Sequence, residues 1–152
     1  MIFKLKNFSL ALLLIVSFAS WSACVSGPHF YLQYGHDYQE VNLDKILADN
    51  PLPAGENIKV VNLGRSQSAS RHMVQIRDRE VFHLHKLHDA AIVLMRDQGY
   101  LILGQKRIDL KTGDIIHGAP HHYVNTASEP TVALAVYAPA FDGKDIHPVG
   151  LP

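Results

Sequence analysis

The stretch Gly113-Asp114-Ile115-Ile116-His117-Gly118-Ala119-Pro120-His121-His122-Tyr123-Val124-Asn125 carries the reading of this 152-residue chain. Gly113-Asp114 opens a turn, and Gly118-Ala119-Pro120 breaks the chain again five residues later. Between and after these breaks lie runs too short for a helix, Asp114–His117 and Tyr123–Asn125, which read as strands. A histidine placed directly after a Gly/Pro turn, at the start of such a strand, is held at an element end where a side chain can be aimed.

The same texture continues outward on both sides. Apolar or alternating runs occur at Ile58–Leu63, His72–Arg77, Val81–His85, Ala91–Met95, Tyr100–Leu103 and Thr131–Tyr137. Gly64, Asp97-Gln98-Gly99, Gly104, Lys111-Thr112-Gly113 and Ser128-Glu129-Pro130 punctuate them. Short strands at this spacing, with no long amphipathic helix among them, predict an all-β sandwich or barrel. Before Ile58 the chain reads as a tether and arm over residues 24–57. Gly27-Pro28, Gly35 and Asn50-Pro51-Leu52-Pro53-Ala54-Gly55 are its breakers, and Asn42 caps a short helix bearing Leu43, Ile46 and Leu47.

Two strands are apolar on both faces. In Thr131–Ala138, Val132, Leu134 and Val136 point one way, while Ala133, Ala135 and Tyr137 point the other; Ala90–Met95 behaves alike. A strand with one wet face should alternate apolar and polar. The outer face is therefore expected to be covered by the 24–57 arm, by a second subunit, or by both, which also makes a homodimer an expectation.

Apolar residues make up 47% of the chain, enough for one core, and its length suits one ordinary domain. The first 23 residues read as a signal peptide. Lys4 and Lys6 precede the apolar run Leu10–Val16, and small residues follow at Ala19, Ser20, Ser22 and Ala23. Beyond it, twelve basic residues face 14 acidic ones, so the body has no basic footprint for nucleic acid or anionic lipid. Cys24 is the single cysteine, which rules out an internal disulfide. Standing after Ser22-Ala23, it resembles the lipidated cysteine of a bacterial lipobox, with Trp21 where an aliphatic residue is usual. Ordinary cleavage after Ala19 or Ser22 is the alternative. Either way the protein is expected to be exported, as a periplasmic protein or a lipoprotein touching the membrane only through Cys24.

The remaining chemistry lies in Val81-Phe82-His83-Leu84-His85-Lys86-Leu87-His88-Asp89. On a strand His83 and His85 share a face and can aim at one point, with Phe82 and Leu84 opposite. Paired imidazoles suit a transition metal, and a nearby carboxylate adds charge and an oxygen ligand. The residues alone leave Asp89 competing with His88, and His121 with His122.

Taken together, these two segments resemble the two motifs of the cupin superfamily, as a small single-domain cupin. The first motif, H-x-H followed at short range by an acidic residue, is matched by His83, His85 and Asp89. The second is matched by Gly113, Asp114, Gly118, Pro120, His121 and Asn125. The resemblance spans roughly Ile58 to Val149, within a barrel domain placed at 58–152. It departs from the family in Asp89 where glutamate is usual, in Arg77 and Arg96-Asp97 where glycine is usual, and in a shorter Gly113–His121 stretch. It implies a jelly-roll β-barrel with one divalent transition metal (Zn, Fe, Mn, Ni or Cu) in its mouth, held by His83, His85, Asp89 and His121. His117 and His122 would be rim or surface residues. Tyr123, Gln75, Arg77 and Tyr100 are candidates for the pocket wall, their direction undecided by alternation.

The function expected from this is a small metalloenzyme of the cell envelope, dioxygenase- or isomerase-like, acting on a small polar molecule. The alternative is a non-catalytic lipoprotein that captures a metal-chelating small molecule. No G-x-S-x-G and no phosphate-cradling glycine loop is present. Neither the reaction nor a catalytic residue follows from the sequence.

Overall fold

The computed structural model describes residues 27–34, 36–118 and 120–150. The expected signal peptide, residues 1–23, and Cys24 lie outside the described residues.

The arm begins with a hairpin, β1 (His29–Tyr34) and β2 (Asp37–Asn42), paired antiparallel. This hairpin was not expected from the sequence, where Gly35 reads only as a breaker. Helix α1 (Leu43–Asp49) follows directly, and the Asn42 side chain accepts from the Lys45 backbone N–H at 2.7 Å. That bond satisfies one of the free donors of the first turn, so the predicted cap does set the helix start.

The barrel strands are β3 (Ile58–Arg65), β4 (Ser70–Ile76), β5 (His83–Leu84), β6 (Asp89–Arg96), β7 (Gln98–Leu103), β8 (Lys106–Lys111), β9 (Ile115–His117), β10 (His121–Asn125), β11 (Thr131–Ala138) and β12 (His147–Pro148). They form two five-stranded antiparallel sheets, ordered β3-β4-β11-β6-β9 and β12-β5-β10-β7-β8. The fold is the all-β jelly roll expected. Strand β8 was missed, because Lys106-Arg107-Ile108-Asp109-Leu110-Lys111 offers only two apolar positions. Ile108 and Leu110 alone face inward, against the interior cluster.

That interior cluster fills the space between the sheets with Ile76, Leu94, Leu101, Leu110, Tyr123 and Ala133. Close approach is required at Gly99, where an added Cβ would stand 2.3 Å from both the Tyr123 hydroxyl oxygen and the Val124 carbonyl oxygen. A second cluster lies on the outer face of the first sheet. There Leu43 and Ile46 of α1 pack on Met73 and Val132, with Met95, Val61 and Leu63 beside them. Leu43 and Met73 are both 0% exposed. The arm therefore covers part of the doubly apolar β11 and β6, as one branch of the sequence expectation required.

Gln75 and Arg77 point outward and serve this docking instead of lining a pocket. Gln75 Nε2 donates to the Asn50 carbonyl at 2.8 Å, and Arg77 Nε donates to the Glu56 carbonyl at 2.9 Å. Arg96 pairs with Asp44 of α1. The arginines that stand in for the motif's glycines at 77 and 96 are thus fasteners for the arm.

Candidate metal centre

His83 opens β5, and its strand partner across the sheet is His121, the first residue of β10. Directly opposed residues in an antiparallel pair share a face, so the two rings meet, with centroids 4.4 Å apart. His85 lies two residues on, and its ring is 5.0 Å from that of His83 and 5.8 Å from that of His121. One ring nitrogen from each of the three histidines lies within 4.8 Å of the others.

Their orientation is set by main-chain carbonyls. His83 Nδ1 faces the Val81 oxygen at 2.7 Å, His85 Nδ1 the Asp145 oxygen at 2.5 Å, and His121 Nδ1 the Gly118 oxygen at 3.0 Å. A carbonyl only accepts, so each Nδ1 carries the proton and donates. Nε2 of each ring is then an unprotonated lone pair, which is the form that binds a metal. Burial, followed by the neighbouring His83 and His85 rings, pushes His121 down to about 4. Burial is also the largest cause that lowers His85. His85 and His121 stay neutral at neutral pH, and neutral imidazole suits a borderline transition metal.

Asp145 holds this geometry from a distant part of the chain. Its Oδ1 accepts from the Lys86 N–H at 3.0 Å, and its Oδ2 from the Leu87 and His88 N–H groups at 2.8 and 3.0 Å. His88 Nδ1 contacts the same Oδ2 at 2.8 Å, and His147 Nε2 contacts Oδ1 at 2.9 Å. Burial would raise this carboxyl, but the bonds from His88, Lys86, Leu87 and His147 outweigh it and hold Asp145 well below the usual carboxylate range. The segment between β11 and β12 thereby ties down the loop that follows His85. The stacked rings of Tyr137 and Phe141, 4.7 Å apart, wall His85 on one side.

The other expected residues fall as follows. Asp89 is not brought into the triad. It is the exposed first residue of β6, and strand parity turns it outward: Ile92 and Leu94 line the interior, so Ala90 takes the inward position and Asp89 does not. It instead borders a rim cleft with His85, His88, His117 and Gly118. His88 is buried but committed to Asp145. His117, partnered with Ala91, is exposed on the outer side. His122 alternates away from His121, its Nδ1 buried without a partner. Of the undecided residues only Tyr123 faces the interior, its hydroxyl 2.9 Å from the Thr131 hydroxyl. Tyr100 lies under the Arg107 guanidinium, 3.9 Å from its ring centroid.

The motif residues around His121 build turns. Gly113 sits at φ 94°, and Asp114 Oδ2 accepts from the Lys111 N–H at 2.9 Å. Asn125 Nδ2 donates to the Arg77 and Glu129 carbonyls at 2.9 and 2.8 Å. Two residues of the site escaped the sequence reading. Asp145 read only as part of a turn, and Glu80 had no signal at all, yet it lines the interior cavity with His121. Burial raises Glu80 to about 7, against a smaller lowering by the Tyr123 backbone hydrogen bond.

No family model matches the chain. An uncharacterized protein of Aquifex aeolicus (strain VF5) is 40% identical over 93 residues, which cover 59% of this chain and 76% of that protein. Among solved structures, a Klebsiella pneumoniae protein with a double-stranded β-helix domain aligns at a TM-score of 0.55 and 16% identity, covering 68% of this chain and 95% of that one. The Streptomyces protein Pac13, a nucleoside dehydratase, aligns at 0.51 and 18% identity, covering 62% and 80%. The chain thus belongs to the same family as the Aquifex aeolicus protein, and the barrel carrying its three histidines has the cupin, or double-stranded β-helix, fold.

Proposed function

We propose that this protein is a small metalloenzyme that binds one divalent transition metal through Nε2 of His83, His85 and His121 and acts on a small polar molecule. One observation carries the reading: three histidines from two separated segments converge while each Nδ1 is already committed to a carbonyl. Satisfied core histidines need no such convergence, whereas a metal site needs both the free nitrogens and the groups that orient them. When bound, the metal would supply Lewis acidity and coordination positions left open by a three-histidine set. The chain's own contribution is to hold the rings, through the three carbonyls and Asp145, and to shape an apolar interior beside His121.

The small-molecule enzyme reading is preferred to a passive receptor because the same cavity holds an ionisable carboxyl, Glu80, alongside His121. The dehydratase activity of Pac13 agrees with use of this fold for such chemistry. We place the protein outside the cytoplasm, anchored by lipid at Cys24, on the strength of Lys4, Lys6, the Leu10–Val16 run and the small residues before that cysteine. A homodimer is part of the same proposal, since Leu134 and Val136 continue the outer apolar face beyond the α1 cluster.

The test is metal content of the protein recovered from its exported compartment, compared with the His83→Ala/His121→Ala double variant. The expectation is about one equivalent in the wild type and almost none in the variant. Equal, near-zero metal in both would overturn the proposal.

A further inference from the structure

Beside the triad, the space between the sheets is a cavity of about 40 Å³, enough for one or a few waters. Its wall is mostly aliphatic, including Val74, Ile76, Ile92, Leu94 and Leu101. Among the described residues, polar side chains reach it at four places. Tyr123 and Thr131 satisfy one another through their hydroxyls, and His121 belongs to the triad. The fourth is Glu80.

Glu80 is held there by its backbone. Arg79 forms a bridge with Val124, and the Glu80 N–H donates to the Tyr123 carbonyl at 2.9 Å, which stitches residues 79–80 to β10. Among the described residues no cation forms an ion pair with Glu80; its neighbour Arg79 is paired with Asp78 instead. A carboxyl in an apolar cavity without a cationic partner opposes folding, and an apolar residue of similar volume would serve the core better. Packing does not explain Glu80.

We propose that Glu80 is the proton-transfer residue of the site, exchanging a proton with a small ligand that is held at the histidine triad and reaches into the cavity. The ligand class is a small oxygen-bearing molecule with an ionisable O–H or an acidified C–H. In the step, a Glu80 Oε accepts the proton and becomes a carboxylic acid, and the bonding pair stays on the ligand as an anion. Return of the proton to another ligand atom regenerates the carboxylate, so the cycle is redox-neutral and needs no co-reactant. The titratable groups that share the cavity with Glu80 are His121 and Tyr123 on β10, and Tyr137 on β11 feels its charge. Burial pushes His121 down to about 4, Tyr137 up to about 12, and Tyr123 upward as well. All three are neutral at pH 7, where Glu80, at about 7, populates both of its forms.

This inference rests on the metal reading, and one experiment separates the two. Zn²⁺ is titrated at pH 7 into metal-free wild type and Glu80→Gln, by calorimetry in buffers of different ionisation enthalpy, to count protons released. Both proteins should bind one Zn²⁺. The wild type should release up to about half a proton more, because a cation beside Glu80 ionises its protonated fraction, and the excess should shrink by about pH 8.5. Equal release with intact binding would overturn the role of Glu80 and leave the metal site standing. Absence of binding in both would sink the metal site and this inference with it. Independently, Glu80→Met should raise the unfolding midpoint of the metal-free protein while keeping one Zn²⁺; a lowered midpoint would make Glu80 a structural residue and overturn the proposal.

Discussion

The two faces of the sheet β3-β4-β11-β6-β9 are both apolar, yet they are put to different use. The outer face meets Leu43 and Ile46 of α1 across Met73 and Val132, and its polar fasteners, Gln75 and Arg77, bond to carbonyls of the arm. The inner face presents Val74, Ile76, Ile92, Leu94, Thr131 and Ala133 and leaves a cavity that contains a carboxyl and a histidine. Beneath α1 the outer face is packed closed, where nothing has to enter. On the inner face packing stops short, and two ionisable groups are kept where they oppose folding. The contrast separates residues that hold the barrel from residues that give it a site.

Several substitutions would break or sharpen that contrast. His121→Ala should have the largest effect on the inner side, abolishing stoichiometric metal binding by equilibrium dialysis while the secondary structure seen by circular dichroism persists. A variant that still holds one equivalent would remove His121 from the site. Leu43→Ala should have the largest effect on the outer side. It should lower stability by about 2–5 kcal/mol in urea unfolding, the range for emptying a fully buried leucine site, with metal affinity unchanged. If it altered metal affinity, the two faces would be coupled.

Asp145→Asn falls between them. The variant keeps the shape but loses the charge that His88, His147 and three backbone N–H groups surround, and metal affinity measured against a competing chelator should drop about 10- to 100-fold. An unchanged affinity would show that the loop holds His85 without it.

Acid should then act chiefly through the inner side. His121 at about 4 lies below its ordinary 6.5, so between these values the unfolded chain binds the additional proton. Stability of the metal-free protein should therefore be constant through this group above about pH 6.5 and fall as pH drops toward 4. In His121→Gln that part of the slope should be missing. The smallest effect is expected at Asp89→Ala, within about 0.5 kcal/mol of wild type in stability and without loss of metal, because the residue is exposed on the outward side of β6. Metal loss there would restore Asp89 as a ligand and contradict the parity of that strand.

Sequence by itself determined a good deal. Spacing of apolar runs and Gly/Pro breaks specified an all-β sandwich or barrel, which the cupin resemblance narrowed to a jelly roll; Asn42 announced the start of α1, and the doubly apolar Thr131–Ala138 announced that its outer face would be covered. H-x-H gave His83 and His85 a shared face, because alternation along a strand is a local property, and the resemblance to the second cupin motif singled out His121 over His122. The tertiary structure decided what depends on which distant segments meet. It gave Asp89 an outward position, through the parity of β6, although motif spacing favoured it as a ligand. It brought Asp145, sixty residues beyond His85, under the loop it restrains. It turned a glutamate three residues before His83 into the one carboxyl of an apolar cavity. Those assignments rest on strand register and on burial by non-local neighbours, and neither is written in the residues adjacent to the ones concerned.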